Sequence, residues 1–216
     1  MSGRHGISSE EALLFERLAS RVLHGDASLR AAPEILAQST LGQAGLWPHG
    51  ISGDLAILLV RVSTLDGLVL ARQALQAQEY WRLKGLAADV VIVNESAPSY
   101  LDELHAALNT LLDNGSWRTW KHRPGGVYLL RGDGRSEPER LLLASVAKAI
   151  LSDQRGTLAQ QLDRIVLAAR DGQGVRLVPS APASAAATPE VPPALPQLSL
   201  FNGLGGFADG GREYVI

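Results

Sequence analysis

Cysteine is absent from this 216-residue sequence. The chain therefore lacks disulfides, a thiol nucleophile and any zinc site built on thiolates. Long apolar runs are absent too: the longest falls well short of the roughly 18 residues that a membrane-spanning helix needs. The amino terminus does not have the charged-then-apolar pattern of a signal peptide. We therefore expect no direct membrane insertion by this chain, and a soluble segment in the cytoplasm.

The sequence also lacks an excess of charge of either sign, because its formal net charge is only -2. A nearly neutral chain has no long-range attraction to nucleic acid or to an anionic membrane, so we expect no nucleic-acid partner. The five histidines show no spacing typical of metal ligands, either with one another or with carboxylates. We expect no metal and no cofactor. The histidines are His5, His24, His49, His105 and His122.

Three short apolar runs are the strongest structural signal in the sequence. They cover residues 55–60, 90–93 and 127–130, and an amphipathic helical pattern follows each of them. Unbroken apolar runs are typical of strands that are buried on both faces. The sequence therefore predicts an α/β fold with a small three-stranded parallel sheet and flanking helices. We expect the last of these helices to begin at a capping box of Ser136 and Glu139. Its buried face should contain Leu143, Val146, Ala147 and Ile150.

Four regions follow from the remaining patterns. Residues 1–45 form a helical lead-in, which begins at a capping box of Ser8 and Glu11, and residues 46–178 form the α/β segment. Within that segment Pro98 is expected to open a helix, and Thr157 with Gln160 to cap another. Residues 179–197 are rich in alanine and proline, and we expect a flexible linker there. Residues 198–216 are expected to begin a truncated β-sandwich domain.

The turn before the first strand contains Trp47, His49, Gly50, Gly53 and Asp54. A phosphate-binding loop follows a strand and opens a helix, whereas this turn precedes its strand, so a structural turn is favoured. Trp47, His49 and Asp54 form a candidate saccharide contact, with one ring for stacking and two polar partners. The alternative is that the tryptophan ring packs on the core.

Polar side chains follow each predicted strand, at the edge where parallel α/β sheets bind ligands. Glu95 and Asp133 could act together as general acid and base. Salt bridges to Arg61 or Arg131 explain the same carboxylates equally well. The polar residues at this edge are Arg61, Ser63, Asn94, Glu95, Arg131 and Asp133.

Two further stretches combine aromatic and polar side chains. Residues 117–123 interleave aromatic rings with positive charge, as platforms for sugars or single-stranded nucleic acid do, but a solvated loop with one ring on the core is favoured. Near the end of the chain, a glycine-rich turn over residues 202–207 is expected to join two strands of a hairpin. The functional alternative there is a saccharide contact made by Phe207, Arg212, Glu213 and Tyr214.

Several stretches carry a family resemblance: FERLAS at 15–20, GQAGLWPHGISGDL at 42–55, EYWRLKGL at 79–86, FNGLGGF at 201–207 and GREYVI at 211–216. They resemble the cyclic β-1,2-glucan synthases, large bacterial membrane enzymes with a carboxy-terminal region related to the family 94 glycoside phosphorylases. The resemblance covers most of residues 9–178 and the end of the chain from Leu198.

The resemblance implies a segment between carbohydrate-binding β-sandwich units and an (α/α) barrel in a much longer polypeptide associated with the bacterial inner membrane. The general acid of the phosphorylases is an aspartate of that barrel, and no residue here matches it. We therefore expect a non-catalytic segment of a glycosyltransferase or phosphorylase, with β-glucan saccharide and the rest of the parent polypeptide as partners. The alternatives are a free-standing carbohydrate-binding or protein-interaction module, and a small enzyme that uses the strand-end groups.

Overall fold

The computed structural model describes residues 7–97, 102–163, 198–200 and 204–215. The chain divides into two compact units, Met1–Gly174 and Val175–Ile216, which are described separately. Within these residues no helix has the length and apolar character needed to cross a bilayer. The predicted linker at 179–197 lies outside the described residues, as do Pro98, Asn202 and Gly203.

A parallel sheet of four strands forms the centre of the first unit, in the order β3-β2-β1-β4. All seven residues of β2 are buried, because this strand lies inside the sheet and both of its faces are covered. The predicted α/β class is confirmed. The strands are β1 Ala56–Val62, β2 Ala88–Asn94, β3 Val127–Arg131 and β4 Ala147–Ser152.

The fourth strand corrects the predicted strand count of three. Residues Ala147 and Ile150 were expected on the buried face of a helix, but that helix ends at Val146 and β4 follows without an intervening loop. β4 pairs in parallel with β1, with Leu59 opposite Ile150. Pairing with the backbone N–H and C=O groups at the edge of β1 outweighs the helix preference of Ala147 and Lys148.

Six helices surround the sheet in the described part of the first unit, and short 3-10 helices connect several of them. Capping boxes close the first turns of three helices through the pairs Ser8 with Glu11, Ser136 with Glu139, and Thr157 with Gln160. The helices are α1 Ser9–His24, α2 Pro33–Gln38, α3 Leu68–Leu83, α4 Glu103–Asp113, α5 Glu137–Val146 and α6, described over 158–163.

Two hydrophobic cores lie on opposite faces of the sheet. Helices α1, α3, α4 and α6 cover one face, and α5 covers the other together with Leu46 and Ile51 from the turn before β1. The crossovers through α3 and α4 therefore run on one face, and the crossover from β3 to β4 through α5 runs on the other. This change of face places a topological switch point between β1 and β4.

The second unit contains a short antiparallel pair, β5 Gly206–Ala208 and β6 Glu213–Val215. Phe207 was expected in the hairpin turn, but it lies in β5 and forms a bridge to Ser199 on its other side. The turn instead covers Asp209–Gly211, where all three residues have positive φ. Glycine adopts such angles without strain, which explains why the chain reverses here.

Candidate functional site

The Trp47 segment, residues 43–54, lies over the α5 face of the sheet just before β1. It begins with the 3-10 helix Gln43–His49. Leu46 and Ile51 are fully buried in the core, and they hold the segment on both sides of Trp47. Trp47 points outward and keeps 64% of its surface exposed. The alternative in which this ring packs on the core is therefore wrong.

Gln43 closes the Trp47 segment into a compact loop. Its Nε2 donates to the carbonyl oxygen of Ser52 at 2.7 Å and to Oδ1 of Asp54 at 3.1 Å. Gly53 adopts φ +80°, and a Cβ there would lie 2.9 Å from Gln43 Cγ. Asp54 thus stabilises the turn, and the segment ends before the strand starts at Ala56. This geometry agrees with the structural turn favoured over a phosphate loop.

His49 is bound to the start of α5. Its Nε2 accepts a hydrogen bond from Arg135 Nη1 at 3.0 Å and lies 3.6 Å from Glu139 Oε1. Burial lowers the pKa of His49, and the positive charge of Arg135 lowers it further. A lowered pKa favours the neutral imidazole near pH 7, and Nε2 is the accepting nitrogen because a guanidinium N–H can only donate. Its Nε2 is occupied by protein contacts.

The three residues of this segment that were predicted to contact a saccharide do not form one cluster. Within the described residues, no hydrogen bond or ring contact joins Trp47 with His49 or Asp54. Sequence reasoning missed their true partners, Gln43 and Arg135, since the Arg135 contact spans 86 positions of the chain. The capping box at Ser136 did locate the start of α5, but gave no indication of this long-range contact.

A cavity of about 610 Å³ opens at the carboxyl ends of β1, β2 and β3, on the α5 face. We call it the carboxyl-edge cavity. Leu59 and Val93 contribute apolar side chains from the sheet, and Leu141 and Ala144 contribute from α5. Its charged lining residues are Arg61, Glu95, Asp133, Arg135, Glu137 and Arg140.

Three of the four charged groups predicted at the strand ends form ion pairs. Arg61 Nε lies 2.6 Å from Glu95 Oε1, so the salt-bridge interpretation is confirmed for Glu95. Arg131 pairs instead with Asp102, the N-cap residue of α4. Glu95 and Asp133 line the same cavity, as expected for residues that follow neighbouring parallel strands. The carboxylate of Glu95 is bound by Arg61.

The switch point between β1 and β4 is filled by Asp153. This carboxylate accepts hydrogen bonds from the backbone N–H groups of Ser63 at 2.8 Å and Thr64 at 2.9 Å, and from both hydroxyl groups. Ser63 is therefore engaged in joining the ends of two strands. The position where doubly wound sheets commonly bind ligands is closed here by the protein itself.

The aromatic loop at 117–123 agrees with its structural interpretation. Trp117 is buried and donates from Nε1 to the carbonyl oxygen of Leu75 at 3.2 Å. The Arg82 guanidinium lies over the Trp120 ring, 3.9 Å from the ring centre. Both rings thus have contacts within the first unit, which sets them apart from the exposed ring of Trp47.

In the second unit, Phe207 and Tyr214 face each other across β5 and β6. Their ring centres are 5.0 Å apart at an interplanar angle of 71°, an edge-to-face arrangement. Phe207 is 37% exposed and Tyr214 44% exposed, and Arg212 and Glu213 are exposed beside them. A saccharide contact at these four residues stays a prediction.

Comparison with known proteins finds a similar segment in a bacterial synthase. No family model matches the sequence. Over 221 aligned positions the chain is 34% identical to the cyclic β-(1,2)-glucan synthase NdvB of Rhizobium meliloti (strain 1021). The alignment takes in 99% of this chain but only 8% of that synthase. The resemblance of this chain to the cyclic β-1,2-glucan synthases is therefore confirmed, and it concerns a segment that makes up 8% of that synthase.

Proposed function

We propose that this chain serves β-1,2-glucan synthesis as a non-catalytic segment that holds the saccharide. The similarity to a cyclic β-(1,2)-glucan synthase over 99% of the chain supports the link to this polymer. The aligned stretch is 8% of the relative, so a supporting role is a better fit than the complete synthetic activity.

The exposed ring of Trp47 is the observation that carries the proposal. Sugar rings present apolar C–H faces, which pack on the flat surface of an aromatic side chain. The buried neighbours Leu46 and Ile51, and the closure by Gln43, fix the backbone beneath this ring. A platform that is rigid before binding loses little entropy when a ligand arrives.

The ion pair of Glu95, one of the two candidate acids, supports the non-catalytic part of the proposal. A glycoside-cleaving site uses two carboxylates, one as acid and one as base or nucleophile. Of the two candidate acids, Glu95 is paired with Arg61, so among the described residues only Asp133 of the predicted pair is without an ion pair. Within the described residues, no group of three or more His, Asp or Glu side chains could hold a metal ion.

Calorimetric titration of the full 216-residue chain with cyclic β-1,2-glucan tests the saccharide contact. We expect binding by the unmodified chain and a loss of about tenfold or more in Trp47→Ala, which corresponds to roughly 1.4 kcal/mol. Trp120→Ala is the matched control, because that ring lies against Arg82 in another part of the unit. Equal losses in both variants, or no binding by the unmodified chain, would contradict the proposal.

A separate assay tests the absence of catalysis. The full chain is incubated with β-1,2-glucan and inorganic phosphate, and glucose 1-phosphate is measured. We expect none above the level of a heat-inactivated sample. Turnover that Glu95→Gln removes would replace the proposal with an enzyme that uses the strand-end carboxylates.

The rings of Phe207 and Tyr214 are proposed as a second saccharide contact. Their edge-to-face pair leaves part of both rings exposed, and Arg212 and Glu213 lie beside them with polar groups for sugar hydroxyls. Phe207→Ala should then weaken glucan binding in a chain that keeps Trp47. If the affinity is unchanged, this second contact is wrong while the Trp47 contact stands.

A further inference from the structure

We propose that the carboxyl-edge cavity binds a small ligand with an anionic group, a carboxylate or a phosphate, through Arg135. β-1,2-glucan carries no charge, so this ligand is distinct from the proposed saccharide and its site lies apart from the exposed Trp47 ring. The proposal therefore does not depend on the proposed function.

The cavity has the size and position of a small-molecule site. Its volume of about 610 Å³ lies in the range of about 300–1,000 Å³ that is typical of ligand pockets. It lies at the carboxyl ends of parallel strands, the edge at which open α/β sheets bind ligands, although Asp153 fills the switch point on that edge. Such a volume suits a single small molecule and not a glucan ring.

Arg135 differs from the other two cations of the cavity lining, because it has no ion-pair partner among the described residues. Arg61 pairs with Glu95 at 2.6 Å, and Arg140 pairs with Glu137 at 3.4 Å. Arg135 donates only to neutral acceptors: Nε to the carbonyl oxygen of Arg131 at 2.5 Å, and Nη1 to His49 Nε2 at 3.0 Å. Across the described part of the chain, no carboxylate lies within ion-pair distance of Arg135, and its Nη2 makes no hydrogen bond.

The burial of Arg135 makes this arrangement costly for a cation. The side chain is half-buried, and this burial lowers the pKa of the guanidinium, an effect that Glu139 opposes from a distance. Two hydrogen bonds to neutral acceptors compensate a half-buried positive charge less well than an ion pair does. A carboxylate or phosphate group in the cavity would supply that partner through charge-assisted hydrogen bonds to the guanidinium.

The remaining walls define the rest of the ligand. Leu59, Val93, Leu141 and Ala144 provide apolar surface next to the charged groups. Gly132 allows the loop after β3 to approach β2 closely, since a Cβ there would lie 2.7 Å from the carbonyl oxygen of Asn94. The cavity therefore fits an anionic group attached to a compact apolar body.

Calorimetric titration of the full chain with matched aromatic probes tests this inference. Benzoate and phenyl phosphate carry the two kinds of anionic group on the same ring, and benzamide is the neutral counterpart of benzoate. All titrations are made at equal ionic strength, so that general salt effects cancel. We expect at least one anion to bind about tenfold or more tightly than benzamide, and the better anion identifies the preferred group.

Four variants separate the cavity from other surfaces. Arg135→Gln should weaken anion binding about tenfold or more, and Ala144→Leu should abolish it by filling the cavity while Arg135 keeps its contacts. Asp133→Asn should strengthen binding by about two- to fivefold, because a like charge at the rim is removed. Arg118→Gln is the control, an exposed cation outside the lining of the cavity, and should change affinity by less than about twofold.

The results decide the proposal in either direction. It is overturned if no anion binds at about 10 mM, if benzamide binds as tightly as the anions, or if Ala144→Leu leaves the affinity unchanged. Should Arg135→Gln fail to fold, the cavity-filling variant and Asp133→Asn still carry the test. Anion binding that persists in Trp47→Ala, which loses glucan binding, shows that the two proposals stand or fall separately.

Discussion

Removal of the Asp153 carboxylate is the sharpest test of how the sheet is held together. Asp153 follows β4 and accepts four hydrogen bonds from Ser63 and Thr64, which follow β1. Asp153→Ala therefore breaks the link between the ends of two neighbouring strands. The two bonds from partly buried Ser63 are charge-assisted and contribute about 1.5 kcal/mol each, and those from exposed Thr64 contribute less because water replaces them.

These contributions give an expected loss of roughly 2–3 kcal/mol in the free energy of unfolding. Asp153→Asn keeps an amide oxygen that can accept from the two backbone N–H groups, so its loss should be about 1 kcal/mol. Asp66→Ala is the matched control, since Asp66 is an exposed carboxylate of the neighbouring 3-10 helix. It should cost less than about 0.5 kcal/mol.

The dependence on pH gives a second check on the same link. Burial alone would raise the pKa of Asp153, but the hydrogen bonds from Ser63 and Thr64 prevail and lower it below the usual 3.8. A lowered pKa stabilises the folded state above the unfolded value, and this stabilisation is lost as the pH falls through the folded value. The difference between the unmodified chain and Asp153→Ala should thus be constant from about pH 7 to pH 5 and shrink below about pH 3.8.

Urea unfolding followed by tryptophan fluorescence is the appropriate assay. All four tryptophans of the sequence lie in the unit Met1–Gly174, so the signal reports on the unit that contains the sheet. A loss for Asp153→Ala no larger than that for Asp66→Ala would refute the reasoning. A loss that stays the same below about pH 3.8 would show that the ionised carboxylate is not the source of the stabilisation.

Two further predictions concern the opposite end of the sheet. Asp89 is fully buried with Oδ2 unpaired within the described residues, and burial raises its pKa. Asp89→Asn should therefore stabilise the fold near pH 7, where the buried carboxylate is charged. This gain should vanish as the pH falls below the unfolded pKa of about 3.9, and urea unfolding across that range would contradict the idea if the gain persisted. Gly126→Ala should cost more than about 2 kcal/mol, because its Cβ would lie 2.0 Å from the carbonyl oxygen of Trp120. Gly42→Ala, with open space around the added Cβ, should be neutral or stabilising by up to about 1 kcal/mol, and thermal unfolding of this pair would refute the steric argument if both lost stability equally.

Local signals in the sequence predicted most elements of the fold. The three capping boxes form as expected, because their hydrogen bonds join residues only three positions apart. The three apolar runs became β1, β2 and β3 for a similarly simple reason, since a strand covered on both faces must be apolar throughout. β4 was missed because Ala147 and Lys148 suit a helix, and only pairing with β1 makes them a strand.

The candidate site depends more strongly on long-range contacts. Trp47 was recognised from its sequence neighbours, but its exposure depends on Leu46 and Ile51 filling the core on both sides of it. The contact between His49 and Arg135 joins residues far apart in the chain, so no local pattern indicates it. The strand-end residues were placed correctly because the carboxyl ends of parallel strands share one edge, whereas their individual ion-pair partners were only partly predictable.

The direct passage from α5 into β4 has a consequence for insertions and deletions. Val146 ends the helix and Ala147 starts the strand, so no residue of a loop can absorb a change in length. An added residue at this junction would either turn the helix by about 100° or move every side chain of β4 to the opposite face of the sheet. Either outcome would bring apolar side chains out of the core. Length variation among related chains should therefore be excluded from this junction and tolerated in the turn at Asp133 and Gly134.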